Sequence, residues 1–347
     1  MIELSAEQEA RAVELQRSAL VVNALATSYS ITEEKYFQKL RDGGIDVTWV
    51  TVGGSGLQET TKAAAQVLAT IRENSDEMVQ ATTVAEMRQA KRDGKAAVVF
   101  STQNASCLEG DPGLLEVYHR LGYRVMGITY SGANFLGAGC AELTRDAQGL
   151  TFVGVEVVQE MNRLGILIDM SHSGDATTWD VLRLSKKPVV FTHSNARALT
   201  DTTRNKPDDQ IKAMADSGGV MGVAPVPRMV NDDMSKATLE GLLDHVDYIV
   251  GLVGVDHVGL GLDFTDAVER YAKPIKEPWT IWRERRPEML GTWEDFFTIP
   301  YAKDIEDMTK LPNLVRGLVA RGYSSDEDIL KILGGNWLRV FEEITEK

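Results

Sequence analysis

The sequence has few cysteines, no excess of basic residues and no long apolar run, and each shortage excludes a class of protein. Its two cysteines, Cys107 and Cys140, are too few for a disulfide framework, so we expect a reducing compartment. With 37 Lys and Arg against 51 Asp and Glu, the formal net charge is −14, which argues against nucleic acid and anionic membranes as partners. No run reaches the roughly 18 apolar residues of a membrane span, and the polar first segment has no apolar signal-peptide core, so we expect a cytoplasmic protein.

Short apolar runs alternate with amphipathic stretches along the 347 residues. Eight runs are candidate strands, at residues 20–24, 46–52, 96–101, 124–129, 166–170, 188–192, 219–223 and 257–262. Helix-like stretches lie between them, including 61–72, 114–121, 154–164, 176–184 and 210–216. This alternation predicts a single TIM-type (β/α)8 barrel over residues 1–347. An open doubly wound sheet is the alternative, but neither a GxGxxG after the first strand nor a P-loop supports it.

The segment 268–303 differs from the rest because it is rich in Trp, Pro and charge. It follows the eighth predicted strand, and loops at that end of a barrel cover the active-site face. We therefore interpret 268–303 as a loop insertion that roofs the barrel mouth. Its tryptophans either cover a substrate or pack on the barrel. Two further helices are predicted at 311–321 and 325–333.

Two of the five histidines occupy equivalent places at the ends of consecutive strands. His172 follows the run ILIDM, and His193 ends the run PVVFT. The carboxyl ends of neighbouring parallel strands lie about 4.8 Å apart at one face, so the two imidazoles can share a metal ion. The alternative is that local hydrogen bonds satisfy each ring. The other three, His119, His245 and His257, are interpreted as structural or surface residues.

Two charged residues accompany the histidine pair. Asp263 ends the last strand, in GLGLDF, where it could transfer a proton or bind a metal, or simply cap a loop. Arg204 follows the His193 loop, in TTRNKPD, and a guanidinium fork suits a substrate carboxylate. An exposed loop arginine, or a partner for Asp208, is the alternative for Arg204.

Several stretches together resemble the renal (membrane) dipeptidase family, peptidase family M19, a branch of the amidohydrolase-type barrels. They are EMNRLGILIDMSHSGDATTWDVLRLSKKPVVFTHSNARAL, TRNKPDDQIKAM, LVGVDHVGLGLDF and LPNLVRGLVARGYSSDEDILKILGGNWLRVF. The resemblance implies a dipeptidase-like, metal-dependent hydrolase. It implies that His172 and His193 bind a metal, that Asp263 is the strand-eight aspartate, and that Arg204 holds the substrate carboxylate.

The chain departs from that family at three strands. Where the resemblance implies a strand-one H-x-D pair, the sequence has Leu25 and Thr27, and neither binds a first-row metal. Gln103 stands where a glutamate bridges two zincs, and a neutral amide is a weak ligand. Tyr130 replaces the histidine that polarises the scissile carbonyl, and its phenol can still donate to an oxyanion.

The cofactor expected from these departures is one divalent metal, with zinc as the first choice, and a second metal site is expected to be absent. Metal ligands would be His172 and His193, with Gln103 a weak candidate and Asp263 a further one. Candidate catalytic residues are Asp263 and Tyr130. Further candidates are Arg204, Asn134 and Asn104 for substrate binding, and Cys140 and Glu142 as loop contributors.

Three functions follow from this candidate site. The first is a hydrolase of a dipeptide or a small amide that carries a carboxylate. The second is a repurposed enzyme that performs an elimination or isomerisation on an amino-acid-derived compound, with Tyr130 or Asp263 as acid or base. The third is a non-catalytic small-molecule-binding protein. A homodimer is expected only as the common state of enzymes of this size.

Overall fold

A computed structural model of the chain describes residues 2–33, 35–142, 148–265, 301–323 and 325–346. Within these ranges every strand pairing is parallel. The strands are β1 Val22–Thr27, β2 Val47–Thr51, β3 Met78–Gln80, β4 Ala96–Thr102, β5 Tyr123–Gly127, β6 Leu167–Asp169, β7 Val189–Val190, β8 Met221–Val223 and β9 Val258–Leu260.

Eight of these strands form the predicted (β/α)8 barrel. Their order is β7-β6-β5-β4-β2-β1-β9-β8, and β3 pairs with β4 beside that path. A parallel bridge between Phe191 and Met221 brings the two end strands together. The Phe191 N–H donates to Val220 O at 3.1 Å, and the Gly222 N–H donates to Phe191 O at 2.8 Å. The predicted fold class is therefore confirmed.

Helices surround the barrel and connect its strands. They are α1 Ala6–Ser18, α2 Ser28–Ile31, α3 Tyr36–Gly43, α4 Leu57–Glu73, α5 Val84–Arg92, α6 Leu114–Arg120, α7 Phe152–Leu164, α8 Asp175–Leu184, α9 Asp208–Asp216, α10 Pro227–Val230 and α11 Leu239–Val253, then Leu311–Ala320, Asp326–Leu330 and Asn336–Thr345. No helix among the described residues combines the length and the apolar character needed to cross a bilayer.

Helix α7 shows how the sequence positions a strand of the site. Thr151 caps its amino terminus by accepting the Gly154 N–H at 3.0 Å, and a buried face that includes Val157 and Met161 turns inward. Gly165 ends the helix at φ +74°, and a Cβ there would lie 2.7 Å from the Ile344 carbonyl oxygen. Glycine is therefore required at the turn that leads into β6.

One end of the barrel is filled by apolar side chains. The first residues of the strands, among them Val22, Val47 and Leu167, share a buried cluster with the last helix. Trp337 from that helix packs on Trp49 with ring centroids 5.0 Å apart, and its Nε1 donates to Leu260 O at 3.1 Å. Because the amino-terminal end is filled in this way, the open face lies at the carboxyl ends of the strands.

Eight of the observed strands overlap the predicted runs, with bounds that differ by up to three residues, and a ninth strand was not predicted. The first strand runs over Val22–Thr27 rather than 20–24, so Leu25 and Thr27 lie within its last three residues. Strand β3 was not predicted, because Met78–Gln80 has only three residues and only Met78 is buried. Alternation over so short a run carries little signal. Residues 268–300 of the predicted 268–303 insertion lie outside the described residues.

Candidate active site

The histidine pair lies at the carboxyl ends of two neighbouring strands. Strands β6 and β7 pair in register, with Asp169 opposite Val190, and His172 and His193 follow them within three residues. The two Nε2 atoms face each other 3.0 Å apart, and the ring centroids are 4.9 Å apart. The two imidazoles that follow these neighbouring strands are therefore in direct contact at the carboxyl-end face of the barrel.

Both imidazoles are held in the neutral form. Burial lowers the pKa of His172 and of His193 well below the ordinary value, and the positive charges of Arg204 and Lys206 lower both further. A neutral imidazole keeps a lone pair on one ring nitrogen, which is the form that binds a metal.

The remaining ring nitrogens bond to hydroxyl groups. His172 Nδ1 lies 3.1 Å from Ser131 Oγ, and His193 Nδ1 lies 2.7 Å from Thr192 Oγ1. Tyr130 stacks on the His172 ring with centroids 4.1 Å apart and an interplanar angle of 26°. The two rings are thus oriented by contacts on the side away from their shared face.

Arg204 lies against the histidine pair, with only 7% of its surface exposed. Its Nη1 donates to the Ser171 carbonyl oxygen, and its Nη2 lies 3.3 Å from His172 Nε2. The guanidinium is therefore buried in the barrel mouth rather than exposed on a loop. Arg204 forms no ion pair with Asp208, whose Oδ2 accepts the Tyr248 hydroxyl instead.

Asp263 follows β9 at the same end of the barrel and adopts φ +52°. Its backbone N–H donates to Leu25 O at 3.2 Å, and the Tyr301 hydroxyl donates to its carbonyl at 2.9 Å. Burial raises the pKa of the Asp263 carboxyl to about 7, the Arg204 charge opposes this rise, and the Asp169 charge adds to it. Asp263 therefore changes protonation near neutral pH.

The positions at which the family resemblance implies a further metal site carry side chains that do not fit a metal. Leu25 is an apolar, buried side chain, and Thr27 Oγ1 hydrogen bonds with Ser30 Oγ at 3.1 Å. The Gln103 amide donates to Thr51 Oγ1 at 3.1 Å. No cluster of three or more His, Cys, Asp or Glu side chains suited to a metal occurs in the described part of the chain. Leu25, Thr27 and Gln103 therefore do not supply the imidazole and carboxylate ligands that a second metal would need.

A single ion fits the histidine pair better. Two Zn–N bonds of about 2.0–2.1 Å each can span the 3.0 Å between the two Nε2 atoms. The pair supplies two of the three protein donors that a catalytic zinc ordinarily takes.

Asn104 and Asn134 lie together but bond to each other and to loop backbone. Asn134 Nδ2 donates to Asn104 Oδ1 at 2.9 Å and to Ile128 O at 2.8 Å. Cys140 reaches the site through its backbone N–H, which donates to His172 O at 2.8 Å, and Glu142 Oε1 accepts the Ala133 N–H at 3.0 Å. The roles predicted for these four residues stay predictions.

The other histidines lie away from the pair, in structural contacts. His245 Nδ1 accepts the Ala196 N–H at 3.3 Å, and burial lowers the pKa of its ring to about 4. His257 Nδ1 bonds with Gly219 O at 2.8 Å, before β9 begins, and His119 lies in α6.

Three polar residues of the site were missed in the sequence. Asp169, Thr192 and Lys206 are 4%, 1% and 0% exposed. Thr192 bonds with both Asp169 and His193, and the charge of Lys206 lowers the pKa of both histidines. A carboxylate inside the apolar run ILIDM was a usable signal, since an unpaired buried acid is costly. Nothing in the sequence around Lys206 indicates its burial.

Comparison with known proteins places the chain in a family. The model of the membrane dipeptidase family (peptidase family M19) matches residues 9–279 and 288–347. The chain belongs to this family. The resemblance stated from the sequence is therefore confirmed.

Individual relatives agree with the family match. A dipeptidase, verJ, of Clonostachys rogersoniana is 30% identical over 276 residues, which are 80% of this chain and 62% of that protein. Dipeptidase tcpJ of Claviceps purpurea is 29% identical over 272 residues, 78% of this chain and 56% of that protein. The chain therefore spans about six tenths of the length of these curated relatives.

Solved structures share the whole fold. An amidohydrolase from Pseudomonas aeruginosa superimposes with a TM-score of 0.85 at 30% identity, covering 97% of this chain and 99% of that one. A metallopeptidase from Rhodobacter sphaeroides, liganded with a phosphinate mimic of the dipeptide L-Ala-D-Ala, gives a TM-score of 0.77 at 22% identity, covering 94% and 99%. At that identity the second likeness shows the fold alone.

Proposed function

We propose that this chain is a dipeptidase-like hydrolase that uses one divalent metal ion, zinc as the first choice, on a small substrate with a free carboxylate. The observation that carries the proposal is the pair of neutral imidazoles, His172 and His193, whose Nε2 atoms face each other across 3.0 Å at the barrel mouth. Membership of the membrane dipeptidase family supports a hydrolase over the repurposed enzyme and the non-catalytic binding protein.

The ion would be held by His172 and His193, and Leu25, Thr27 and Gln103 would leave the family's other metal position without ligands. A bound divalent ion supplies Lewis-acid polarisation of the scissile carbonyl and lowers the pKa of water. The low pKa of both rings favours this role, because protons do not compete with the metal at neutral pH.

Two other side chains at the barrel mouth transfer the proton and stabilise the oxyanion in this proposal. Asp263, with a pKa raised to about 7, accepts a proton from the attacking water and delivers it to the leaving amine. Tyr130 stacks on His172 and donates its phenolic hydrogen to the developing oxyanion.

Arg204 binds the substrate carboxylate in this proposal. Its Nη2 lies 3.3 Å from His172 Nε2, so a carboxylate on the guanidinium lies beside the histidine pair. A dipeptide offers such a carboxylate one residue from its scissile bond.

A dipeptide assay tests the proposal. Purified protein supplied with zinc is incubated with a panel of dipeptides, and free amino acids are quantified for wild type, His193→Ala and the matched control His119→Ala. We expect wild type and His119→Ala to cleave at least one dipeptide at equal rates, and His193→Ala to fall to background. Cleavage of no dipeptide by the zinc-supplied wild type, or full activity in His193→Ala, would overturn it.

A further inference from the structure

A buried carboxylate lies beneath the histidine pair and takes no direct part in the proposed chemistry. Asp169, the last residue of β6, is 4% exposed. Its Oδ1 accepts the Ser171 N–H at 3.0 Å, the Ser171 hydroxyl at 2.6 Å and the Thr192 N–H at 2.9 Å. Its Oδ2 accepts the Thr192 hydroxyl at 2.7 Å. Four donors on one carboxylate identify it as the ionised, acceptor-only form.

The direction of the next hydrogen bond follows by counting hydrogens. Thr192 Oγ1 lies 2.7 Å from Asp169 Oδ2 and 2.7 Å from His193 Nδ1. A hydroxyl has one hydrogen, and a carboxylate can only accept, so this hydrogen points at Asp169. The bond to His193 must then be donated by the ring. His193 therefore carries its proton on Nδ1, and its Nε2 presents a lone pair toward His172.

The same carboxylate also holds the backbone of His193. Ser171 Oγ, whose hydrogen points at Asp169, accepts the His193 N–H at 3.0 Å. The His193 ring is thus linked to Asp169 through the Thr192 hydroxyl, and the His193 backbone is linked to it through the Ser171 hydroxyl. Metal-binding histidines ordinarily donate their second ring N–H to a carboxylate, a carbonyl or water; here a threonine hydroxyl is interposed.

We infer that Asp169 is a positioning residue that, through Thr192, fixes His193 in the Nδ1–H tautomer and so keeps Nε2 free to bind the metal. The metal-binding half of this inference rests on the proposed function. The tautomer is a property of the chain itself and is testable without any metal.

Asp169→Asn should reverse the direction of the two hydrogen bonds that link His193, Thr192 and residue 169. Three donors converge on the Oδ1 position, so the amide oxygen stays there and the NH2 takes the Oδ2 position facing Thr192. The threonine hydroxyl then accepts from the amide and donates to His193 Nδ1, which places the ring proton on Nε2. An amide in place of an orienting carboxylate is known to select the wrong histidine tautomer while leaving the geometry intact.

Nitrogen-15 NMR of the imidazole rings in the full-length, metal-free protein reads the tautomer, with the His193 signals identified by their loss in His193→Ala. We expect the Nδ1–H form in wild type and the Nε2–H form in Asp169→Asn. The control Asp175→Asn removes a carboxylate that pairs with Arg197 instead, and should leave the wild-type form. The Nε2–H form in wild type, or an unchanged tautomer in Asp169→Asn, would overturn the inference.

Zinc affinity, measured by competition with a chromophoric chelator, tests the consequence for the metal. We expect binding about 10–100-fold weaker in Asp169→Asn and in Thr192→Val, and close to wild type in Thr192→Ser, which restores the hydroxyl. If Asp169→Asn does not fold, the comparison of Thr192→Val with Thr192→Ser still tests the inference. Equal zinc affinity in Thr192→Val and wild type would overturn the metal-binding half. Absence of zinc binding in wild type would refute the proposed function. The tautomer measurement would still decide whether Asp169 fixes His193 in the Nδ1–H form through Thr192.

Discussion

Replacing Lys206 by methionine should abolish a pH dependence of stability that this buried lysine creates. Lys206 has no exposed surface, and its Nζ donates to Ser173 O at 2.9 Å and lies 5.2 Å from the centre of the Phe191 ring. Burial lowers the pKa of its ammonium group from 10.5 to about 8, while nearby Cys140 and Asp175 oppose this shift. Methionine is also an unbranched side chain, one heavy atom shorter than lysine, and it carries no charge.

The sign and size of the effect follow from proton linkage. Between pH 8 and 10.5 the unfolded chain binds the Lys206 proton and the folded chain does not, so rising pH stabilises the folded state. A shift of 10.5 − 8 = 2.5 units at about 1.36 kcal/mol each corresponds to roughly 3 kcal/mol at the alkaline limit. Below pH 8 both states hold the proton, and this contribution no longer changes with pH.

Urea unfolding of wild type and Lys206→Met at pH 7 and pH 10.5 measures this contribution, because every other titrating group cancels in the comparison. We expect the free energy of unfolding of wild type, relative to the variant, to rise by about 3 kcal/mol between the two pH values. A difference that stays constant with pH, or that falls, would show that Lys206 is not held in the folded protein with a lowered pKa.

Three further predictions concern the mouth of the barrel. Because the pKa of Asp263 is raised to about 7, kcat/KM should increase as pH rises through 7, and Asp263→Asn should lower kcat by about 10²–10⁴-fold in a pH-resolved assay. Arg204→Lys should reduce kcat/KM about tenfold more for a dipeptide than for its C-terminal amide; equal losses would remove the carboxylate role. Tyr130→Phe keeps the stacked ring and should lower kcat by about 10²–10³-fold at unchanged KM, whereas an unchanged kcat would exclude the hydroxyl.

The parts of the site that the sequence predicted are those set by strand ends. His172 and His193 each follow an apolar run, and parallel strands deliver such residues to one face, so their meeting follows from the barrel itself. Leu25 and Thr27 lie at the end of β1, beyond the predicted strand 20–24, so the resemblance rather than the periodicity indicated that they end a strand.

The parts that sequence could not predict depend on three-dimensional partners. The sequence left open whether Arg204 is exposed, and only packing shows it against Ser171 and His172. Asn104 and Asn134 are separated by 30 residues, so no local pattern indicates that their amides bond to each other. Lys206 lies in a charged loop sequence, and lysine is rarely buried, so composition argued for exposure.

The proposed function requires that the histidine pair bind one metal ion, with no second ion held near Leu25, Thr27 and Gln103. Elemental analysis measures the metal content of protein that is purified without a chelator or a metal column, reconstituted with zinc and freed of excess metal. We expect one zinc per chain in wild type, and none in His172→Ala or His193→Ala. Two per chain, or none in wild type, would contradict the proposed function.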